Sequence, residues 1–188
     1  MDTYPKMREG KTPLPTSTGG TQPLWQALAA KAPKLSGLRV LALHAGDGWF
    51  CRYAVNQGAI AVLGVDHDAA AVSAARELAS SDRLRYRIMP DDRLNLLTGP
   101  YDLILGTFDL RHDDLRRMTH QLSKLLRPGG QLIAAVATPL PGQADATGLQ
   151  IKDIFTSRLS IEQLYQVSDT RLSASAQVHF ILGSRVRH

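Results

Sequence analysis

Gly46-Asp47-Gly48 stands between an apolar run, Val40 to Leu43, and the stretch Trp49 to Gln57, which ends at Gly58. Glycines between a strand and a helix let the main chain approach a ligand closely, and a helix start offers unpaired N–H groups to an anion or polar group. Asp66, eighteen residues after Gly48, closes the next apolar run in Leu63-Gly-Val-Asp66-His67-Asp68. A carboxylate there, beside the first glycine turn, can accept hydrogen bonds from both ribose hydroxyls of an adenosine. Asp68 directly precedes the helical run Ala69 to Ala79 and is the better N-cap, which leaves Asp66 for a ligand. The plain alternative for the glycines is a tight turn without a ligand. Cys51, inside the helix after the turn, reads as a small buried residue and not as a nucleophile.

These residues require a scaffold of alternating elements. Val40 to Leu43, Ala59 to Val65, Leu84 to Met89, Tyr101 to Leu105 and Gln131 to Ala137 read as strands, several nearly continuous in apolar residues, as strands covered on both faces should be. Two weaker strands, Leu172 to Ser175 and Gln177 to Gly183, suggest an antiparallel edge pair. Between them lie helices: one from Pro23 to Pro33, one with an apolar stripe at Val72, Ala75 and Leu78 or Ala79, and one with Leu115, Met118, Leu122 and Leu125, begun by Asp113-Asp114 and stopped by Pro128-Gly129-Gly130. Repeated strand–helix–strand units predict a doubly wound α/β fold, a mostly parallel sheet of about seven strands in a single domain. Ligands of such sheets lie beyond the carboxyl ends of the strands. Residues 1–20, rich in Thr, Pro, Gly and Lys, predict a flexible N-terminal arm before a domain over 21–188.

Composition narrows the function. The 188 residues carry a net charge of +5, but residues 37 to 150 hold twelve basic and twelve acidic side chains, so the excess lies towards the two ends. Without a basic stripe interleaved with aromatics, nucleic acid is not an expected partner. A single cysteine excludes an internal disulfide and any multi-cysteine metal centre, and no metal site is expected. No apolar run reaches the length of a membrane span, so the expectation is a soluble, cytoplasmic protein with no membrane partner.

In order along the chain, Val40-Leu-Ala-Leu-His-Ala-Gly-Asp-Gly48, Gly64-Val-Asp66, Tyr101-Asp-Leu-Ile-Leu105 and Leu126-Arg-Pro-Gly-Gly-Gln-Leu-Ile133 resemble the motifs of the class I S-adenosylmethionine-dependent methyltransferases, of the small-molecule type with a Rossmann-like sheet. The resemblance spans residues 38 to 137, and Tyr4 with Met7-Arg8 resembles a stretch that precedes the first helix in some members. It implies S-adenosylmethionine as cofactor, with S-adenosylhomocysteine as product. It also implies site residues. Gly46 and Gly48 would face the methionine part, Asp66 the ribose and His67 the adenine; Asp91, or Asp92 beside it, would meet the adenine edge. Gly106 and Thr107, placed after the fourth strand, would border the sulfonium and the substrate, while Tyr4 and Arg8 would approach the cofactor carboxylate.

Two positions depart from the family pattern: Ala42 replaces an acidic residue and His44 a glycine. Either the site has been rebuilt, with His44 donating to the cofactor carboxylate, or the domain is catalytically degenerate. A degenerate domain would serve as a binding or assembly partner, and a third alternative uses the cofactor for chemistry other than methyl transfer. A nicotinamide dehydrogenase is the nearest rival by sequence, but its third small position is Cys51 here. No catalytic base stands out, and His112 reads as a surface residue. The segment from Thr138 to Ser160, where members of the family build a cover over the substrate, is short, so the site is open or is completed by a second copy or a protein partner.

Overall fold

A computed structural model describes residues 22–110, 113–138, 147–167 and 177–185. The chain divides into two compact units, one ending at Asp91 and one beginning at Asp92. The expected arm, with Tyr4 and Arg8, lies outside the described residues, as do His112 and the expected strand Leu172 to Ser175.

The first unit runs α1 (Gln22–Ala29), β1 (Arg39–Leu43), α2 (Trp49–Asn56), β2 (Ala61–Asp66), α3 (Ala69–Leu78) and β3 (Leu84–Ile88). Its strands pair in parallel in the order β3-β2-β1, with Ala42 opposite Gly64 and Gly64 opposite Tyr86. Val40, Leu41, Ala42 and Leu43 are wholly buried, which explains why this strand reads as one continuous apolar run. Trp25 of α1 stacks on Phe50 of α2 with ring centroids 5.4 Å apart. Asp68 caps α3 as expected, its side chain accepting from the Ala70 N–H at 2.8 Å.

After a short 3₁₀ stretch, Asp91–Leu96, the second unit runs β4 (Tyr101–Asp109), α4 (Leu115–Leu125), β5 (Leu126–Thr138), α5 (Thr147–Thr156), β6 (Ser160–Val167) and β7 (Gln177–Ser184). The order is β4-β5-β7-β6, with β4 and β5 parallel and β7 antiparallel to both its neighbours. Asp114 caps α4 through the Arg117 N–H, and Leu115, Met118, Leu122 and Leu125 form its buried stripe.

Two expectations need correction. β4 continues four residues beyond Leu105, so Gly106 and Thr107 lie within the strand, opposite Ala134 and Ala135 of β5. The antiparallel partner of β7 is β6, whose apolar alternation is broken by a register shift between Ile161 and Gln163 and by the exposed Glu162. The short segment from Thr138 to Ser160 contains the helix α5, whose Ile151, Ile154 and Phe155 are buried. Among the described residues, no helix is long and apolar enough to cross a membrane.

Candidate functional site

The carboxyl ends of β1, β2 and β3 carry six of the residues singled out from sequence: His44, Gly46, Gly48, Asp66, His67 and Asp91. Three parallel strands that end together bring residues far apart in sequence to one rim, as the Rossmann-like topology requires.

Asp66 organises that rim. Its Oδ2 accepts the Gly46 N–H at 2.9 Å and its Oδ1 the Asp68 N–H at 2.9 Å, so one carboxylate ties the glycine turn to the start of α3. It is only 7% exposed. A carboxylate offers about four lone-pair sites, and these two bonds leave two for further donors such as ribose hydroxyls. Gly46 and Gly48 both adopt positive φ, 56° and 79°, and Gly48 precedes α2 without a side-chain cap. The first N–H of α2, at Trp49, is 3.4 Å from Asp47 Oδ1. This cradle fits the ribose and the polar end of an adenosyl cofactor.

Close approach at the turn is also used by the protein itself. A Cβ on Gly48 would collide with the Tyr86 hydroxyl, which donates to the Gly48 carbonyl at 3.4 Å. A Cβ on Gly64 would meet the same ring at 2.7 Å and Cys51 Sγ at 2.9 Å. Tyr86 is therefore a residue that sequence reasoning missed; the signal was two glycines, 48 and 64, with nothing assigned to fill the space they leave. Burial pushes the Tyr86 hydroxyl pKa upward and raises the Cys51 thiol to about 12, which fits the reading of Cys51 as an inert core residue. Arg52, buried in α2, donates to the Asp47 carbonyl across the base of the turn.

His44 holds φ at 54°, the left-handed region that a glycine would occupy without cost. Its Nε2 lies 2.9 Å from Asp91 Oδ1, and this hydrogen bond holds the Asp91 carboxyl below the usual carboxylate range. The two residues, expected at the carboxylate end and the adenine edge of the cofactor, are thus bonded to each other. His67 closes the group, its ring 6.0 Å from that of His44 and its Nδ1 3.6 Å from Asp66 Oδ1. His44, His67 and Asp91 each offer a ligand atom within 4.8 Å of the others, a cluster the sequence reading did not anticipate. Ala42, where an acid was expected, is wholly buried in β1. In the second unit, Gly106 is buried and Thr107 half-buried on β4.

Residues 40–130 match the family model described as "Methyltransferase domain". No curated protein matches the sequence. Among solved structures, the chain is similar to an S-adenosylmethionine dependent methyltransferase from Mesorhizobium loti, with 23% identity, a TM-score of 0.69, and coverage of 86% of this chain and 97% of that one. It is similar to magnesium protoporphyrin IX methyltransferase from Synechocystis with bound SAM, at 21% identity and TM-score 0.63, covering 87% and 76% of the two chains. The N-methyltransferase NodS from Bradyrhizobium japonicum gives 16% identity and TM-score 0.67, over 88% of this chain and 96% of that one. The fold is accordingly Rossmann-like α/β, a mostly parallel sheet of seven strands with an antiparallel edge. Motif order, the domain match over residues 40–130 and the fold together make this chain similar to the class I S-adenosylmethionine-dependent methyltransferases.

Proposed function

We propose that the chain binds S-adenosylmethionine at the rim of the first unit and transfers its methyl group to a small molecule. The observation that carries this reading is Asp66, buried at the end of β2, tied to the glycine turn and to the start of α3, and still holding two acceptor sites for ribose hydroxyls. The cofactor, when bound, supplies an electrophilic methyl group on a sulfonium. The residues of the chain then bind and orient: Gly46 and Gly48 present the main chain to the methionine part, Asp66 fixes the ribose, and His67 lies against the adenine. Gly106 and Thr107 of β4 border the acceptor side. Tyr4 and Arg8, on the arm over residues 1–20, approach the carboxylate, and residues 21–188 form the methyltransferase-like domain. Transfer from a sulfonium to a reactive nucleophile proceeds by proximity and in-line alignment, so the fold needs no dedicated base.

His44 and Asp91 constrain the binding mode. Their proposed contacts lie at opposite ends of the cofactor, so making both opens the 2.9 Å bond between them. Calorimetry with S-adenosylmethionine and S-adenosylhomocysteine, in chelator, tests the reading: one molecule per chain is expected. Asp66→Asn, which keeps the size and one acceptor oxygen but loses the charge, should weaken binding by about tenfold or more, since a charge-assisted bond is worth roughly 1.5 to 3 kcal/mol. No heat with either ligand, at protein concentrations able to show a millimolar dissociation constant, overturns it.

A further inference from the structure

The ends of β1, β2 and β3 do more than shape a cradle for an adenosyl group. From the convergence of His44, His67 and Asp91, whose ligand atoms all lie within 4.8 Å of one another, we propose a site for one divalent transition-metal ion of the zinc type. Two imidazoles and a carboxylate suit zinc and its transition-metal neighbours better than magnesium or calcium, which prefer all-oxygen shells. Zinc bonds of about 2.1 Å at tetrahedral angles set ligand atoms about 3.4 Å apart. The His44–Asp91 separation of 2.9 Å need open only slightly to reach that spacing. His67 closes the remainder: its side chain is 68% exposed, so little packing opposes a turn of its ring towards the other two.

The surroundings favour a dication. Asp66 Oδ1, 3.6 Å from His67 Nδ1, places a second carboxylate just behind the cluster, where outer carboxylates orient ligating histidines. His44 is held at φ 54°, a conformation in which glycine costs nothing, so the imidazole occupies a place that the turn by itself does not require. His44 and His67 directly follow the last residues of β1 and β2, and Asp91 opens the 3₁₀ stretch after β3, so adjacent parallel strands bring the three together. Three protein ligands leave at least one coordination position open for water or a small ligand. Since the site takes His67 and Asp91, both proposed adenine contacts, metal and cofactor would exclude each other there.

The test uses tag-free, chelator-stripped protein titrated with Zn²⁺ by calorimetry and with Co²⁺ by visible absorption, with no cofactor present. Saturation at one ion per chain is expected, with Co²⁺ bands that vanish on adding Zn²⁺. His67→Ala, at an exposed position and so expected to keep the native melting curve, should weaken Zn²⁺ binding by about a hundredfold; Asp91→Asn should do likewise, as loss of even an outer partner costs roughly ten- to a hundredfold. No binding at millimolar Zn²⁺, or binding unchanged in both variants, overturns the proposal. S-adenosylhomocysteine is titrated separately in chelator, so its failure to bind would count against the cofactor reading alone.

Discussion

His44 is the residue at which the chain departs most visibly from the methyltransferase motif pattern it resembles, and its backbone carries the reason it can be tested cleanly. A non-glycine residue in the left-handed region costs on the order of 1 kcal/mol, set here against a hydrogen bond to Asp91. His44→Ala removes the bond and keeps the strain, whereas His44→Gly removes both. We expect His44→Gly to be more stable than His44→Ala by about 1 kcal/mol in urea unfolding. Equal stabilities would mean that φ at this position is not strained in solution. Asp66 shows the converse. Its two bonds to backbone donors make it a structural residue as well as a proposed ligand, so Asp66→Ala should lower stability along with any loss of affinity, and the milder Asp66→Asn is the better probe of ribose recognition.

Between strand and helix, the turn from β1 into α2 is held by what packs upon it. Gly48 and Gly37 share nearly the same φ, 79° and 80°, but a Cβ on Gly48 would strike the Tyr86 ring while one on Gly37 would meet nothing within 4 Å. The pair separates two costs. Gly37→Ala should lose about 1 kcal/mol from backbone strain alone. Gly48→Ala should lose that and roughly 1 to 3 kcal/mol more, as Tyr86 is displaced from its place over Gly64. Equal losses in thermal or urea unfolding would show that Tyr86 does not occupy the turn. The same packing explains the parallel pairing of Gly64 with Tyr86: a ring on β3 needs a neighbour on β2 without a side chain.

Across the molecule, stability should be bounded on both sides of neutral pH by two buried groups, one in each unit. His179 on β7, 6% exposed and beside Thr138, is held neutral by burial, with its pKa below 6.5. Below about pH 6.5 the unfolded chain takes up a proton there that the folded chain resists, so stability falls as pH falls. Cys51, raised from 9.0 to about 12, acts on the other side: above pH 9 the unfolded thiol ionises and the folded one does not, so stability falls as pH rises. Urea midpoints measured from pH 5 to 10 should pass through a maximum. His179→Gln should flatten the acid limb and Cys51→Ala the alkaline limb, whatever each does to the midpoint at pH 7.5. Wild-type slopes retained in both variants would assign the titrations elsewhere.

By itself the sequence determined the pieces whose signals are local. The continuous apolar run of β1, the glycine turn, Asp68 at the start of α3 and Asp114 at the start of α4 are each written within a few neighbouring residues, because strand burial, turn geometry and capping are short-range requirements. Asp66 was legible as a rim carboxylate for the same reason, though not its hold on Gly46, twenty residues away. Tertiary structure alone decided what depends on distant partners. His44 meets Asp91 across forty-seven residues and Tyr86 reaches Gly48 across thirty-eight, and no periodicity records such a meeting. β6 escaped because a register shift breaks its alternation, so only its pairing with β7 identifies it as a strand. Parallel strands joined by helical crossovers place the ends of distant segments side by side, and the chemistry of this rim arises from that placement.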